Sequence, residues 1–344
     1  MKTNHFLSLI TLLFFVPLSY AQTFDSAIDY LNFIGKEQTE VTKSMWKYTK
    51  AVAHSKRDSK ISKRREQLLD QIATSKKNIT KANGFDGNDF KNNVLELIRV
   101  NESILKQDYA QIIDMKEVAE QSYDLMEAYI LAQELADKKM EESQATYEKQ
   151  LLEFAGKHKI NIVENDSDLS KKMAKSNEVF SYNNKLYLLF FKVYINDVYL
   201  NEAINTKDLS GIQQNSNALN IAAKNGLEQL ETMEAYGSDK ALLIATKEVF
   251  DFYVSMTTND IPKLIDFHIL EEEFKTLTNS IEQTPAKKRT KEQIDTYNKK
   301  VKAFNNGVAT FNKTNQNLNN NKQRIFNDYE DSKQSFLSRH IPND

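Results

Sequence analysis

The stretch from Ile294 to Phe336 constrains this chain more than any other. Ile294, Tyr297, Val301, Phe304, Val308, Phe311, Asn315, Leu318, Lys322, Ile325, Tyr329, Ser332 and Phe336 follow one another at alternating steps of three and four. Residues so spaced share one helix face, and a seven-residue period means that a neighbouring helix covers that face. The pattern predicts a single helix from Thr290 to Arg339, about 75 Å long at 1.5 Å per residue. Asn315 and Lys322 interrupt the seam. Polar residues there either fix the register or meet solvent where the neighbours end.

The rest of the chain reads the same way. Only 8 Gly and 4 Pro punctuate 344 residues, too few for a fold of many strands and turns. Apolar residues recur at three and four, not at two. Helices are expected over Ser26–Val52, Ser59–Lys81 and Asn88–Lys106, and around Met126–Phe154. In the second half they are expected over Leu186–Ala203, Asn217–Glu234, Lys240–Met256 and Ile261–Thr278. The expected class is all-α: two related helical-bundle units with long helices in antiparallel up-and-down packing.

The relation between the units is written in the sequence. Tyr147–His158 (YEKQLLEFAGKH) and Tyr329–His340 (YEDSKQSFLSRH) share a Tyr, a Glu, a Phe seven after the Tyr, a basic residue and a His. Ile61, Leu68, Ile79 and Phe85 match Ile212, Leu219, Leu230 and Tyr236 at a constant separation of 151, and FDGND at Phe85–Asp89 meets YGSD at Tyr236–Asp239. Each turn places a Gly at a helix end, followed by an Asp or Ser able to cap the next helix. The endings are 182 apart, so the second unit carries extra residues, placed around 260–293. The units are expected at 22–160 and 167–344, with a linker at 161–166. In each ending the Tyr and Phe are expected to dock on their own bundle, with the His at the helix tip, where a positive group suits the helix dipole.

The first residues carry an address. Lys2 precedes an apolar run from Phe6 to Leu18, and Ser19-Tyr20-Ala21 makes a small-x-small cleavage site. This is the arrangement of a secretory signal peptide over 1–21, with an uncleaved anchor as the alternative. No later stretch suits a membrane span. LYLLFFKVYINDVYL carries Lys192 and Asp197 and reads as a buried core helix. Cys is absent, which excludes disulfides, thiolate catalysis and thiolate metal sites. A formal charge of −2 gives no footprint for nucleic acid. The basic run Lys56–Arg65 reads as a solvated helix face.

No motif names a reaction. P-loop, GxGxxG, HExxH and GxSxG patterns are missing, as is any Glu-x-x-His pair of the di-iron bundles. No cofactor is expected. The nearest approach to a metal pair is His268 with Glu272, one turn apart in HILEEE. The competing reading is a solvent-facing polar strip opposite Ile265, Leu270 and Phe274. Aromatic residues are plentiful, with 15 Tyr and 19 Phe. Tyr187, Tyr194 and Tyr199 crowd the helix that opens the second unit. They read first as core, second as an aromatic groove with hydroxyls at its mouth. Asn315 belongs to an asparagine-rich face that either meets solvent or recognises a partner.

SAIDYLNFIGKEQ at Ser26–Gln38, the paired Tyr-Phe-His endings and the Ala-Gln signal end resemble exported or surface proteins of unknown function of Bacteroidetes. The resemblance implies an all-α fold and export to the periplasm or outer surface of a Gram-negative bacterium, and it supplies no catalytic residues. The leading functional expectation is a non-enzymatic structural or interaction protein of the cell envelope, its partner an envelope protein. The alternative is a binding module for a peptide, glycan or lipid in an aromatic-lined groove.

Overall fold

The long seam forms one helix from Lys291 to His340. Its start is set by a capping box: the Thr290 hydroxyl accepts from the Gln293 amide at 3.1 Å, and the Gln293 side chain accepts from the Thr290 amide at 2.8 Å. The protein is described by a computed structural model covering residues 22–343, apart from 56, 109–114, 117 and 163–166. The signal segment 1–21 and most of the expected linker therefore lie outside the described residues.

Nine α-helices are bounded among the described residues. They are α1 (Ala27–His54), α2 (Asp58–Lys81), α3 (Asp89–Ser103), α4 (Tyr123–Lys157), α5 (Asp168–Asn205), α6 (Leu209–Thr232), α7 (Ala241–Asn259), α8 (Ile261–Gln283) and α9 (Lys291–His340). Ser26, Ser122 and Ser167 cap α1, α4 and α5 by accepting backbone amides of the first turn. A π turn, Ile104–Asp108, continues α3. The expected Leu186–Ala203 helix begins eighteen residues sooner, since its polar first half, from Asp168, offers no apolar run to read.

Two cores form. Tyr30, Ile34, Leu68, Ile72, Phe90 and Phe154 are among the residues that join α1 to α4. Val179, Leu186, Phe190, Leu219, Phe250, Tyr253, Tyr329 and Phe336 are among those that join α5 to α9. The apolar stretch of α5 is buried on several sides, with Leu186, Phe191, Val193 and Leu200 almost wholly enclosed. No described helix is long and apolar enough to cross a membrane.

The packing does not stop at the linker. The first half of α1 enters the first core through Tyr30 and Ile34, and its second half enters the second through Trp46 and Ala53. Gln334 of α9 donates to the Ala53 carbonyl at 3.2 Å. Met126 and Ile130 of α4 meet Phe191 and Ile195 of α5 in a smaller apolar cluster. Among the described residues the two halves meet through packed side chains.

The correspondence of the halves is visible in the helix bounds. α2 and α6 begin at 58 and 209 and end at 81 and 232, a shift of 151 at both ends. Among the described residues of the first half no named helix corresponds to α8. It runs back along the first half of α9 as a helical hairpin, closed by residues 284–290. Phe274 lies 6.1 Å from Tyr297 and 4.4 Å from Phe304, while Phe267 lies 6.0 Å from Phe304 and 4.4 Å from Phe311. The reversed order of partners shows that the two helices are antiparallel. No residue of α9 before Thr314 is buried, so this arm covers its aromatic seam only by half.

Close packing has a local requirement at Gly226 of α6. A Cβ there would stand 2.7 Å from the Phe250 ring of α7. Gly226→Ala is expected to lower stability by about 1–3 kcal/mol through overpacking. Gly35 lies mid-helix in α1 with nothing within 4 Å of a Cβ. Gly35→Ala is expected to raise stability by about 0.5–1 kcal/mol. Thermal or urea unfolding of the two variants checks both signs.

Candidate functional site

The repeated ending and the repeated turn are parts of one corner, built once in each half. In the first half the α2–α3 turn is bent by Asp86 at φ +54° and Gly87 at φ +98°, left-handed conformations that Gly and Asp tolerate best. In the second the α6–α7 turn is bent by Gly237 at φ +59°. The end of the long helix docks on each turn. His158 stands edge-on to Phe85 at 5.3 Å and packs on Phe154 at 4.5 Å. His340 stands edge-on to Tyr236 at 4.9 Å and packs on Phe336 at 4.8 Å. One carboxylate then clasps the tip. Asp86 meets Lys157 at 2.7 Å and His158 at 3.6 Å. Asp239 meets Arg339, and His340 at 2.8 Å.

By position Asp239 matches Asp89, yet by partners it matches Asp86. Asp239 also accepts the Ala241 amide at 3.0 Å and so fixes the start of α7. Burial raises the Asp239 pKa, but the Ala241 amide, His340 and Arg339 outweigh it and hold the carboxyl below its usual range. The His residues are thus docking residues, each within its own half. The Tyr and Phe of both endings are buried as the spacing implies.

A second polar group lies inside the core between α5 and α9. Asp197 is 1% exposed among apolar neighbours, and one of its carboxylate oxygens is paired with the Lys322 ammonium. Its other oxygen, Oδ1, makes no close hydrogen bond, and the buried Tyr253 hydroxyl of α7 lies against this carboxylate. Burial first, and the charge of Asp197 next, push the Tyr253 phenol well above its ordinary pKa, so it stays protonated. Above this group opens a cleft of about 520 Å³, walled by Tyr194, Val198 and Phe326 and rimmed by Glu202 and the last turn of α5. Tyr194 and Phe326 meet edge to face at 5.7 Å.

The residues singled out in the sequence fall in different places. Tyr194 lines this cleft. Tyr187 is half-buried, 5.3 Å below the Lys333 ammonium. Tyr199 is 39% exposed, with its hydroxyl 3.5 Å from the Gln121 carbonyl. Asn315 is half-buried on α9 beside buried Thr314 and does not line the cleft. His268 is not on a solvent-facing strip. It is buried against Phe311 at 5.5 Å, and its nearest carboxylate is Glu271 at 3.4 Å, while Glu272 is exposed. No group of three or more His, Asp or Glu among the described residues could hold a metal ion.

Sequence reasoning noticed both members of the buried pair and missed the pair. Lys322 stood out as a break in the seam and Asp197 as a charge in an apolar run. Opposite charges on two apolar helix faces were the available signal. A second, more polar cleft of about 940 Å³ lies between α3, the π turn and α4, lined by Asn93, Ser103, Gln107, Thr146 and Tyr147 among others. No protein-family model, curated protein or solved structure matches this chain.

Removing one member of a buried ion pair strands the other, whereas replacing both by apolar groups does not. Lys322→Met is expected to cost about 3 kcal/mol. The double variant Asp197→Leu/Lys322→Met is expected to regain wild-type stability or exceed it, in denaturant unfolding at neutral pH. At the corner, a depressed carboxyl pKa contributes stability above its unfolded pKa that is lost as pH falls through the folded one. Asp239→Asn should therefore unfold earlier than wild type at pH 7. The difference should shrink below about pH 4 as the wild-type carboxyl takes up its proton, which thermal unfolding across pH would record.

Proposed function

We propose that this chain is a non-enzymatic exported protein with a structural or interaction role in the cell envelope, and that its two halves arose by duplication of one helical bundle. The observation that carries the interaction reading is the α8–α9 arm. Two helices extend a seam of Phe267, Phe274, Tyr297, Phe304 and Phe311 that stays half-buried along its whole length, whereas further along α9 Tyr329 and Phe336 are enclosed. Half-covered aromatic surface on an element with no counterpart among the described residues of the other half suits contact with a partner. Export is supported by the signal pattern of residues 1–21. The resemblance to exported proteins of Bacteroidetes supports the same compartment. A second reading, a binding module, is favoured by the cleft above Asp197 and Lys322.

The arm can be removed without opening the bundle. A Cβ at Gly307 would fall 2.8 Å from Leu270, so the two strands of the arm are adjacent there. Deleting 272–306 and joining the ends with two glycines is expected to leave cooperative unfolding intact and to abolish co-fractionation with the envelope. Co-fractionation that survives the deletion overturns the role of the arm. Fractionation with N-terminal sequencing tests export: a mature chain beginning at Gln22 outside the cytoplasm is expected, and an intact Met1 inside it would overturn the reading.

A further inference from the structure

We propose that the cleft between α5 and α9 is a binding site for a small organic cation, a primary amine carried on an apolar body. The inference concerns a different surface from the arm and stands whether or not the arm carries a partner.

The chemistry of the cleft selects the ligand. Its walls are apolar and aromatic, with Tyr194, Val198 and Phe326 able to cover a flat or branched hydrocarbon body. The polar groups gather at one end. Asp197 and Glu202 bring two negative charges there, against the single positive charge of Lys322. The last turn of α5 adds the negative end of a helix dipole at the rim. An anion would meet a lysine already engaged by Asp197 and flanked by a second carboxylate. A cation meets an excess of acceptors.

The hydrogen-bonding groups point the same way. Asp197 is almost wholly buried, and beyond Lys322 the only donor set against it among the described residues is the buried Tyr253 hydroxyl. An ammonium has three donors and no acceptor, which matches a lining that holds two carboxylates and one lysine beside the amides of Asn201, Asn205 and Gln323. It would share Asp197 with Lys322, while Glu202 offsets the second positive charge. The faces of Tyr194 and Phe326 add cation–π attraction. A 520 Å³ cleft accommodates a body of about ten heavy atoms.

The test uses the mature chain from Gln22 to Asp344 and three probes of one size: phenethylamine, 3-phenylpropionate and 2-phenylethanol. Isothermal titration or NMR shift titration is expected to give a Kd of about 1 mM or tighter for the amine, with the other two at least tenfold weaker. Glu202 is exposed and Val198 is 38% exposed, so Glu202→Gln and Val198→Trp leave the core alone. Each is expected to weaken the amine several-fold or more, the first by removing charge and the second by filling the cleft. Added salt should weaken binding as well. Equal or tighter binding of the carboxylate, no binding of the amine, or an amine affinity untouched by Val198→Trp would each overturn the proposal.

Discussion

A helix of fifty residues cannot bury one face against a single neighbour of ordinary length. Everything distinctive in this protein follows from how the seam of α9 is covered. Its first half is covered by α8 alone, which leaves a two-helix arm. Its second half lies on α7 and α5, where Tyr329 stacks on Phe190 with ring centres 4.2 Å apart. Its tip reaches α1 and the α6–α7 turn. The seam is continuous in sequence, but burial along it is not: it deepens from half-covered Tyr297 to enclosed Tyr329 and Phe336. Each change of partner changes what the seam residue must be.

Lys322 shows this best. It stands where α9 leaves the arm for the core, close enough to the cleft to keep part of its side chain in solvent. Its charge is tolerated there because α5 supplies Asp197. A buried ion pair is weak evidence for stability, since well-packed apolar residues do as well. What it does impose is register. A shift of α9 by one heptad would strand two charges in the core, so the pair selects one alignment of a seam whose period otherwise permits several. The cost is a buried carboxylate at the base of the cleft.

The corners rest on a different balance. Each joins ring packing to a clasp between one carboxylate and two neighbouring basic residues. The carboxylate of the clasp is half exposed in the first half and 9% exposed in the second. Surface ion pairs contribute little, so packing of His158 between Phe85 and Phe154 carries most of the first corner. The second gains more from Asp239, which both caps α7 and holds the end of α9. The two halves thus keep one design and weight its terms differently.

Much of this was legible beforehand. Helix periodicity placed a helix at each of the nine named elements, the long one to within a residue at each end, because amphipathic spacing is a local property of the chain, but it missed the polar first half of α5. The doubled ending announced the halves, and the separation of 182 against 151 located α8 as an addition. The site was read in fragments. Tyr194, Lys322 and Asp197 were each noticed, but Tyr187, Tyr199 and Asn315 share their helices without sharing the cleft, and His268 turned inward to Glu271 instead of meeting Glu272. Periodicity places a residue on a face and does not say which helix that face will meet. Secondary structure and repeat were set by the sequence because they depend on neighbours a few positions away. Only the tertiary structure decided that Asp197 finds Lys322 and that α1 serves both cores, since those contacts join residues more than a hundred positions apart and depend on how whole helices cross.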